Sequence, residues 1–185
     1  MLAAKPGDVL AVWTGASDAQ KAIRIGDLLK GKPAVANHVI GVTHKDKTGR
    51  WMGMEGRPGG FGLADCTPYL NDPRTRSNHA QYRELAEDQQ LVAGAAELTG
   101  TPYDWVGIAS ETADALNLDD LKKFLDKFWR WPSDNNLLPG HIFCSNAWAY
   151  LYKRIGRPHP NLGDERGCSP GDWWEFNNNY EQVYI

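Results

Sequence analysis

Apolar residues along the chain form several short runs with the spacing of β-strands. Residues 8–14 (DVLAVWT) follow a Pro-Gly turn and predict a buried strand. Residues 37–44 (NHVIGVTH) and 50–55 (RWMGME) predict two more strands, and the short polar turn between them indicates a hairpin. The glycine-dense segment 56–62 is expected to be a loop with a tight turn, because it lacks the Lys-Ser/Thr ending and following helix of a phosphate-binding loop.

Other segments show the three-and-four spacing of amphipathic helices. Ser17 and Gln20 have the spacing of a capping box, which predicts a helix from there to about residue 30. A second helix is expected over residues 79–98, with an apolar face of Tyr82, Leu85, Leu91, Val92, Ala95 and Ala96. A third is expected over residues 117–131, with an apolar face of Leu121, Phe124, Leu125, Phe128 and Trp129.

The remaining segments have weaker patterns. Residues 68–78 are polar and interrupted by prolines, so they are expected to be irregular. After a turn at residues 169–171, residues 172–176 and 182–185 are expected to be closing strands. The chain has no internal repeat and no linker, and this mixture of strands and helices fits one α+β domain.

Residues 141–156 (HIFCSNAWAYLYKRIG) predict the helix around which the other elements are arranged. Cys144 stands at its N-terminus, and Gly156 is the expected stop. The helix buries one face, which consists of Ala147, Trp148, Leu151, Tyr152 and Ile155. Unpaired N–H groups and the helix dipole favour a thiolate at this position, and the thiolate is the nucleophilic form of cysteine. A free cysteine also commonly packs as a small buried hydrophobe, so the interpretation depends on residues elsewhere in the chain.

Composition and charge narrow the classes of function. Hydrophobic residues make up 42% of the 185 residues and charged residues 23%, which is typical of a globular domain rather than a disordered chain. Twenty basic and 23 acidic side chains, with no basic stripe, argue against nucleic-acid binding. The three cysteines, Cys66, Cys144 and Cys168, lack the spacing of a disulfide framework or a structural zinc site.

Hydropathy bears on localisation. The N-terminus lacks the basic region and long apolar run of a signal peptide, and no apolar run approaches the roughly 20 residues that span a bilayer. We therefore expect a soluble protein that is cytoplasmic as synthesised and has no transmembrane segment.

Thiol chemistry requires a base to accept the proton of the nucleophile. Among the five histidines, His38 is the favoured base because it begins an apolar strand that would hold its ring near the protein body. His79 and His159 are expected on the surface, and His44 is expected to be solvated at a strand end. His141 lies three residues before the cysteine, where an extended chain would carry it away from the thiol. A single histidine in a strand is often purely structural.

The base in turn requires a group that orients its ring. If the two strands of the hairpin pair, Glu55 stands beside His38 on the same face of the sheet. The alternative interpretation is that Glu55 is an ordinary charged residue that faces solvent before a loop. By composition alone, the alternatives are Asp8, Asp46 and Asp65.

Seven short motifs follow one another over nearly the whole chain. They are PGDVL at 6–10, NHVIGV at 37–42, MEG at 54–56, GGF at 59–61, GTPYDW at 100–105, FCS at 143–145 and SPGD at 169–172. In this order the chain resembles the circularly permuted branch of the NlpC-type papain-like cysteine hydrolases. This YiiX-like group also includes relatives of lecithin:retinol acyltransferase. In that branch the histidine strand precedes the cysteine helix.

The resemblance implies a single domain over residues 1–185 with a permuted papain-like fold. In this fold an antiparallel sheet or half-barrel packs against the helix that carries the nucleophile. It implies that Cys144 is the nucleophile, His38 the base and Glu55 the orienting residue. It also implies that the Tyr103 hydroxyl lies near the thiol and helps the backbone N–H of Cys144 to hold an oxyanion.

The chain departs from the family pattern in two places. Residues 146–148 are Asn-Ala-Trp, where relatives often carry an acidic residue and aliphatic residues. Residues 110–139 form an insertion between Tyr103 and Cys144, which is expected to be a lid or a wall of the substrate groove.

The expected chemistry is acyl transfer through a thioester, with no metal and no organic cofactor. The expected substrate is a peptide or peptidoglycan, and the missing signal peptide suits a phage-borne or otherwise delivered enzyme. Two alternatives stay open. One is a papain-like scaffold kept as a binding or assembly module, for instance in a phage particle. The other is a lipid acyltransferase or thioesterase, although the chain has no hydrophobic anchor.

Overall fold

The computed structural model describes residues 1–15, 18–104, 109, 116, 142–160 and 167–185. In this part of the chain a five-stranded antiparallel sheet and several helices form an α+β fold, as the sequence predicted. The strands are β1 (Val9–Val12), β2 (His38–Lys45), β3 (Trp51–Arg57), β4 (Gly60–Asp65) and β5 (Arg76–Ser77). The helices are α1 (Asp18–Leu29), α2 (Thr67–Leu70), α3 (Leu85–Glu97), α4 (Cys144–Arg154) and α5 (Pro170–Asn178).

Some predictions fall on other residues. The cap at Ser17, the helix at 117–131 and, apart from residue 116, the insertion at 110–139 lie outside the described residues. The same holds for His141. No helix in the described ranges has the length and apolar character that crossing a bilayer requires.

The sheet has the strand order β4-β3-β2-β1-β5, and every neighbouring pair is antiparallel. The predicted hairpin is present, since β2 pairs with β3 over most of its length. The register places Val12 opposite His38 and Ile40 opposite Glu55. Directly opposed residues share a face of the sheet, and so do residues that are two apart in one strand. His38 therefore lies on the same face as Ile40 and, in the adjacent strand, as Glu55.

Helix α4 packs against the sheet through Trp148, which is fully buried. The indole covers Gly41 of β2 so closely that a Cβ atom at position 41 would overlap the ring. The indole Nε1 donates a hydrogen bond to the carbonyl oxygen of Met54 in β3, 3.0 Å away. A bulky aromatic side chain on the helix thus fits a gap that glycine leaves in the sheet.

The glycine-dense segment was wrongly predicted to be a loop over residues 56–62. Strand β3 continues to Arg57 and β4 begins at Gly60, so only two residues form the turn. Backbone bonds hold the new strand in place, since Phe61 N donates to Thr101 O and Gly100 N donates to Phe61 O. Residues 68–78, predicted to be irregular, contain most of the short helix α2 and all of strand β5.

The prediction of a closing strand at residues 172–176 was also wrong, because these residues lie in helix α5. Ser169 caps the helix by accepting a hydrogen bond from Asp172 N, and Asp172 Oδ2 accepts one from Ser169 N at 2.8 Å. Pro170 occupies the first turn, where proline is favoured. The capping box was readable in the sequence as Ser-Pro-Gly-Asp. Residues 182–185 contribute a single β-bridge, between Leu2 and Tyr184, and no strand.

Helix α3 begins at Leu85, six residues later than predicted. Tyr82 and Leu85, which were assigned to its apolar face, are exposed, whereas Leu91 and Ala95 are buried. The start is displaced because the preceding residues belong to a buried polar network. In this network Arg83 Nε donates to Asp88 Oδ1 at 2.6 Å, and Arg83 Nη2 pairs with Asp8.

Candidate active site

Cys144 is the first residue of helix α4 and is fully buried. The helix start is fixed locally by Asn146, whose Oδ1 accepts a hydrogen bond from Phe143 N at 2.9 Å. Gly56 of β3 lies directly against it, since a Cβ atom at position 56 would be 2.9 Å from Cys144 N. The sequence pattern did not single out Gly56 or Asn146 as site residues, although Gly56 immediately follows Glu55. The end of the helix that carries Cys144 has electropositive, unpaired N–H groups in its first turn.

His38 and Glu55 form a buried pair on adjacent strands. The distance between His38 Nε2 and Glu55 Oε2 is 2.6 Å. Glu55 Oε1 lies against Nε of Arg57, whose guanidinium is itself exposed at the end of β3. Since Nε2 of the imidazole is engaged by Glu55, Nδ1 is the ring nitrogen left for another partner.

The side chain of Cys144 lies close enough to His38 to act on the pKa of the imidazole. Burial by itself would lower the pKa of His38, but the charge and hydrogen bond of Cys144, together with those of Glu55, raise it to about 10. The imidazole is therefore held as an imidazolium near neutral pH, between a sulfur and a carboxylate. The described geometry brings together three side chains that are far apart in the sequence.

Tyr103 approaches the same place. A parallel β-bridge joins Tyr103 to Ile142, and Asp104 N donates to Ile142 O at 2.9 Å. The segment with Tyr103 is thereby tied to the approach to Cys144. Burial raises the pKa of the Tyr103 hydroxyl, and the negative charges of Cys144, Asp104 and Glu55 raise it further. The hydroxyl therefore stays protonated near neutral pH.

The other cysteines lie in different surroundings. Burial, and next the charge of Asp65, raise the pKa of the Cys66 thiol to about 12. Burial raises the pKa of Cys168 well above its ordinary value, and the charge of Asp172 adds to this effect. Of the three cysteines, Cys144 is the one whose side chain raises the pKa of a histidine. Cys66 and Cys168 are therefore internal controls for measurements of the reactivity of Cys144.

The remaining histidines differ in part from their predictions. His44 is exposed at the end of β2, as expected. His159 was predicted on the surface but is buried, with Nδ1 2.5 Å from the carbonyl oxygen of Pro160. Its loop is held against the core by a hydrogen bond from Gln81 Nε2 to Pro158 O. His79 is half-buried rather than exposed, because its Nδ1 pairs with Asp8 Oδ2 at 2.7 Å.

The alternative carboxylates are engaged elsewhere. Asp8 is buried in the network with Arg83 and His79. Asp46 accepts hydrogen bonds from its own turn, and Arg50 also pairs with Asp65 at the end of β4. Glu55 is therefore the carboxylate in contact with His38.

No group of three or more histidine, cysteine or acidic side chains suited to a metal ion occurs among the residues described by the structure. Comparison of the chain with models of protein families, with curated proteins and with solved structures finds no match. The case for function consequently depends on the geometry of Cys144, His38, Glu55 and Tyr103.

Proposed function

We propose that the protein is a cysteine hydrolase that acts through a thioester acyl-enzyme. Cys144 is the nucleophile, His38 is the general base and acid, and Glu55 orients the imidazole. The observation that carries this proposal is the 2.6 Å contact between Glu55 and His38, together with Cys144 at a helix N-terminus, whose charge raises the pKa of the His38 imidazole. A nucleophile, a base and an orienting group in this order are the minimum that thiol-dependent acyl transfer needs.

The first half of the reaction forms the acyl-enzyme. The sulfur of Cys144 attacks the carbonyl carbon of an amide or ester, and the carbonyl oxygen becomes an oxyanion. In this proposal the backbone N–H of Cys144 and the hydroxyl of Tyr103 donate hydrogen bonds to this charge, and donors placed in advance stabilise the transition state. As the intermediate collapses, the imidazolium of His38 gives its proton to the leaving amine or alcohol, and a thioester remains on Cys144.

The second half releases the product. His38, now neutral, removes a proton from water, and the hydroxide attacks the thioester carbonyl. Collapse of the second tetrahedral intermediate breaks the C–S bond and returns the thiolate to its place beside the imidazolium. Glu55 keeps the ring in one orientation and stabilises its positive charge in both halves.

The proposal includes a permuted papain-like arrangement of a single domain, with a peptide or peptidoglycan amide as substrate. The order of elements supports this arrangement, because the strand that begins with His38 precedes the helix that begins with Cys144.

One observation favours a second candidate, a non-enzymatic binding or assembly module built on the same scaffold. Cys144 has no exposed surface and belongs to the main hydrophobic cluster, beside Ala147 and Trp148. A substrate carbonyl can reach the sulfur only if the surrounding residues move apart, and a module would have no need of such movement.

Alkylation by iodoacetamide at about pH 7.5, followed by peptide mass spectrometry, separates the two candidates. For the hydrolase, Cys144 reacts at least about ten-fold faster than Cys66 and Cys168, and His38→Ala removes the difference. The matched control is His44→Ala, which changes an exposed histidine on the same strand and leaves the rate unaltered. Cys144 reacting as slowly as the other two cysteines would favour the module.

The substrate class requires a separate measurement. Purified muropeptides are incubated with the unaltered protein and with Cys144→Ala, and the products are compared by mass spectrometry. Cleavage that depends on Cys144 supports the peptidoglycan assignment. Acyl adducts on Cys144 after incubation with phospholipid, without muropeptide cleavage, would instead support a lipid acyltransferase.

A further inference from the structure

Helix α1 exposes three large aliphatic side chains. Asp27 on this helix is buried against the N-terminus of α5, where Gly171 N donates to Asp27 Oδ2. On the other side, Ile25, Leu28 and Leu29 have 50%, 61% and 51% of their surfaces exposed. Val35, in the segment that leads to β2, is 43% exposed. The three helix residues, Ile25, Leu28 and Leu29, are here called the α1 face.

A helix packed on a globular protein ordinarily turns its apolar residues to the core and its charged residues to water. In α1 the residues at positions 25, 28 and 29 share one side by their spacing, and this side is exposed to solvent. A group of exposed large aliphatic side chains marks a surface that meets another apolar phase or a partner.

Arginine and tryptophan side chains border the α1 face. The guanidinium carbon of Arg24 lies 4.4 Å from the ring centre of Trp13, and that of Arg74 lies 5.5 Å from the same ring. Trp174 continues the border, with its Nε1 3.4 Å from Arg74 O and with Arg76 5.4 Å from its ring. Tryptophan and arginine next to aliphatic residues are the side chains that proteins place at the level of lipid headgroups.

The charge of the segment points to an anionic partner. Residues 18–35 contain four basic residues (Lys21, Arg24, Lys30 and Lys32) and two acidic ones (Asp18 and Asp27), although the whole chain has a net charge of −3. Asp27 is buried and Lys32 pairs with Asp172 at 2.7 Å, so neither contributes much charge to the outer surface, and three basic residues and one acidic residue remain. An apolar helix face with a basic border is complementary to a membrane that contains anionic lipid.

The border lies beside the candidate active site. Trp13 follows Val12, which is the residue opposite His38 in the sheet. Arg76 is opposite Ala11, which places Arg74 at the same end of the sheet as Trp13. A surface that contacted the α1 face would therefore lie next to the end of β2 that carries His38.

We propose that the α1 face and its tryptophan–arginine border dock the protein on an anionic phospholipid bilayer. This inference goes beyond the proposed hydrolase, because it gives the site a location at a membrane surface and does not depend on catalysis. A second copy of the chain is a poorer occupant. A two-fold dimer through this face would bring the arginine borders of both copies together, and like charges repel.

Co-sedimentation with vesicles tests the proposal. The full chain is mixed with phosphatidylcholine vesicles that contain either about 30% phosphatidylglycerol or none, at about 0.05 M and about 0.5 M NaCl. We expect binding to the anionic vesicles alone, with a loss of about ten-fold at high salt. The double substitution Leu28→Asp/Leu29→Asp is expected to reduce the bound fraction at low salt about ten-fold.

A matched control keeps the test specific. Leu63→Asp changes another exposed leucine, 54% accessible, on β4 at the opposite edge of the sheet, and binding is expected to be unaffected. Arg24→Gln/Arg74→Gln should remove the salt dependence while leaving the aliphatic residues in place. Thermal unfolding verifies that each variant is folded.

Three results would overturn the proposal. They are no binding of the unaltered protein to anionic vesicles, an equal loss in Leu63→Asp, and a dimer in light scattering that Leu28→Asp/Leu29→Asp dissociates. Cys144→Ala should bind vesicles like the unaltered protein. A lack of vesicle binding would therefore overturn docking without affecting the proposed hydrolase. Slow labelling of Cys144 would count against the hydrolase without affecting docking.

Discussion

At the scale of single residues, the charge state of His38 results from opposing effects. Burial disfavours a charged imidazole, whereas Cys144 and Glu55 both favour it, and the two partners prevail to raise the pKa to about 10. The raised pKa also links His38 to stability. Because the folded pKa exceeds the unfolded value near 6.5, this contribution is fully present below about pH 6.5 and is lost as the pH rises through about 10.

Replacing Glu55 by glutamine tests this balance. Glu55→Gln keeps the size of the side chain but removes its negative charge, so the pKa of His38 is expected to fall. The guanidinium of Arg57, which remains beside position 55, would lower it further. The measurement is a histidine NMR titration, and the exposed His44 serves as the internal reference. An unchanged titration of His38 would mean that Glu55 does not stabilise the imidazolium.

At the scale of elements, two glycines in neighbouring strands allow helix α4 to lie close to the sheet. Gly41 of β2 makes room for the ring of Trp148, and Gly56 of β3 makes room for the backbone at Cys144. Both contacts fix the distance between the helix that carries Cys144 and the strands that carry His38 and Glu55. Packing of this tightness leaves little tolerance for an added methyl group.

Gly41→Ala is therefore expected to destabilise the protein. The new Cβ would overlap the Trp148 ring, and overpacking of this kind typically costs about 1–3 kcal/mol. Urea unfolding monitored by circular dichroism measures the change in the free energy of unfolding. Gly62→Ala in β4 is the matched control, because a Cβ there meets no atom within 4 Å. Equal effects of the two substitutions would show that strand propensity, rather than the fit of Trp148, is responsible.

At the scale of the whole molecule, helices from opposite ends of the chain meet at a buried carboxyl group. Asp27 of α1 accepts a hydrogen bond from Gly171 N at the start of α5, and Lys32 pairs with Asp172 at 2.7 Å. Burial raises the pKa of Asp27 to about 6, and the charge of Asp172 also acts to raise it. Hydrogen bonds with Ser169 and Gly171 and the charge of Lys32 act to lower it. The contact thereby couples the stability of the fold to pH.

The sign of this coupling is the reverse of that for a salt-bridged aspartate. The folded pKa of Asp27 lies above the unfolded value of 3.8, so its stabilising contribution is full below about pH 3.8 and is lost as the pH rises through about 6. Asp27→Asn removes the charge and keeps an acceptor for Gly171. We expect Asp27→Asn to be more stable than the unaltered protein at pH 8, by on the order of 2 kcal/mol.

Urea unfolding at about pH 8 and about pH 4 measures this difference, which should shrink towards the acidic end. Lys32→Met is a suitable companion, since it keeps the carboxyl group but removes a positive charge that lowers its pKa, so the loss of stability with rising pH should become larger. A variant that is less stable than the unaltered protein at both pH values would show that Asp27 is needed in its charged form.

Local patterns in the sequence were sufficient for several elements. Short apolar runs between turns predicted β1 and the β2–β3 hairpin, and helical spacing with a glycine stop predicted α4 with Cys144 at its start. These signals depend only on neighbours in the chain, so they can be read without the fold. The same type of signal was misread at α5, where Ser169 and Asp172 form a capping box in a segment assigned to a strand.

Long-range contacts decided the rest. Strand β4 exists because its backbone groups pair with β3, and no local pattern in a glycine-rich segment indicates such a partner. The burial of His159 and the late start of α3 likewise result from polar contacts between distant residues. The insertion at 110–139 was predicted from sequence, and apart from residue 116 it lies outside the described residues.

The sequence by itself determined which side chains can perform thiol chemistry and which segments carry them, because residue type and local periodicity are properties of the chain. Only the tertiary structure decided that His38 Nε2 lies 2.6 Å from Glu55 and that Cys144 is fully buried beside it. It also decided that Leu28 and Leu29 point outwards. The amphipathic pattern of α1 defines an apolar side, but the side that meets the core depends on contacts such as that of Asp27 with α5.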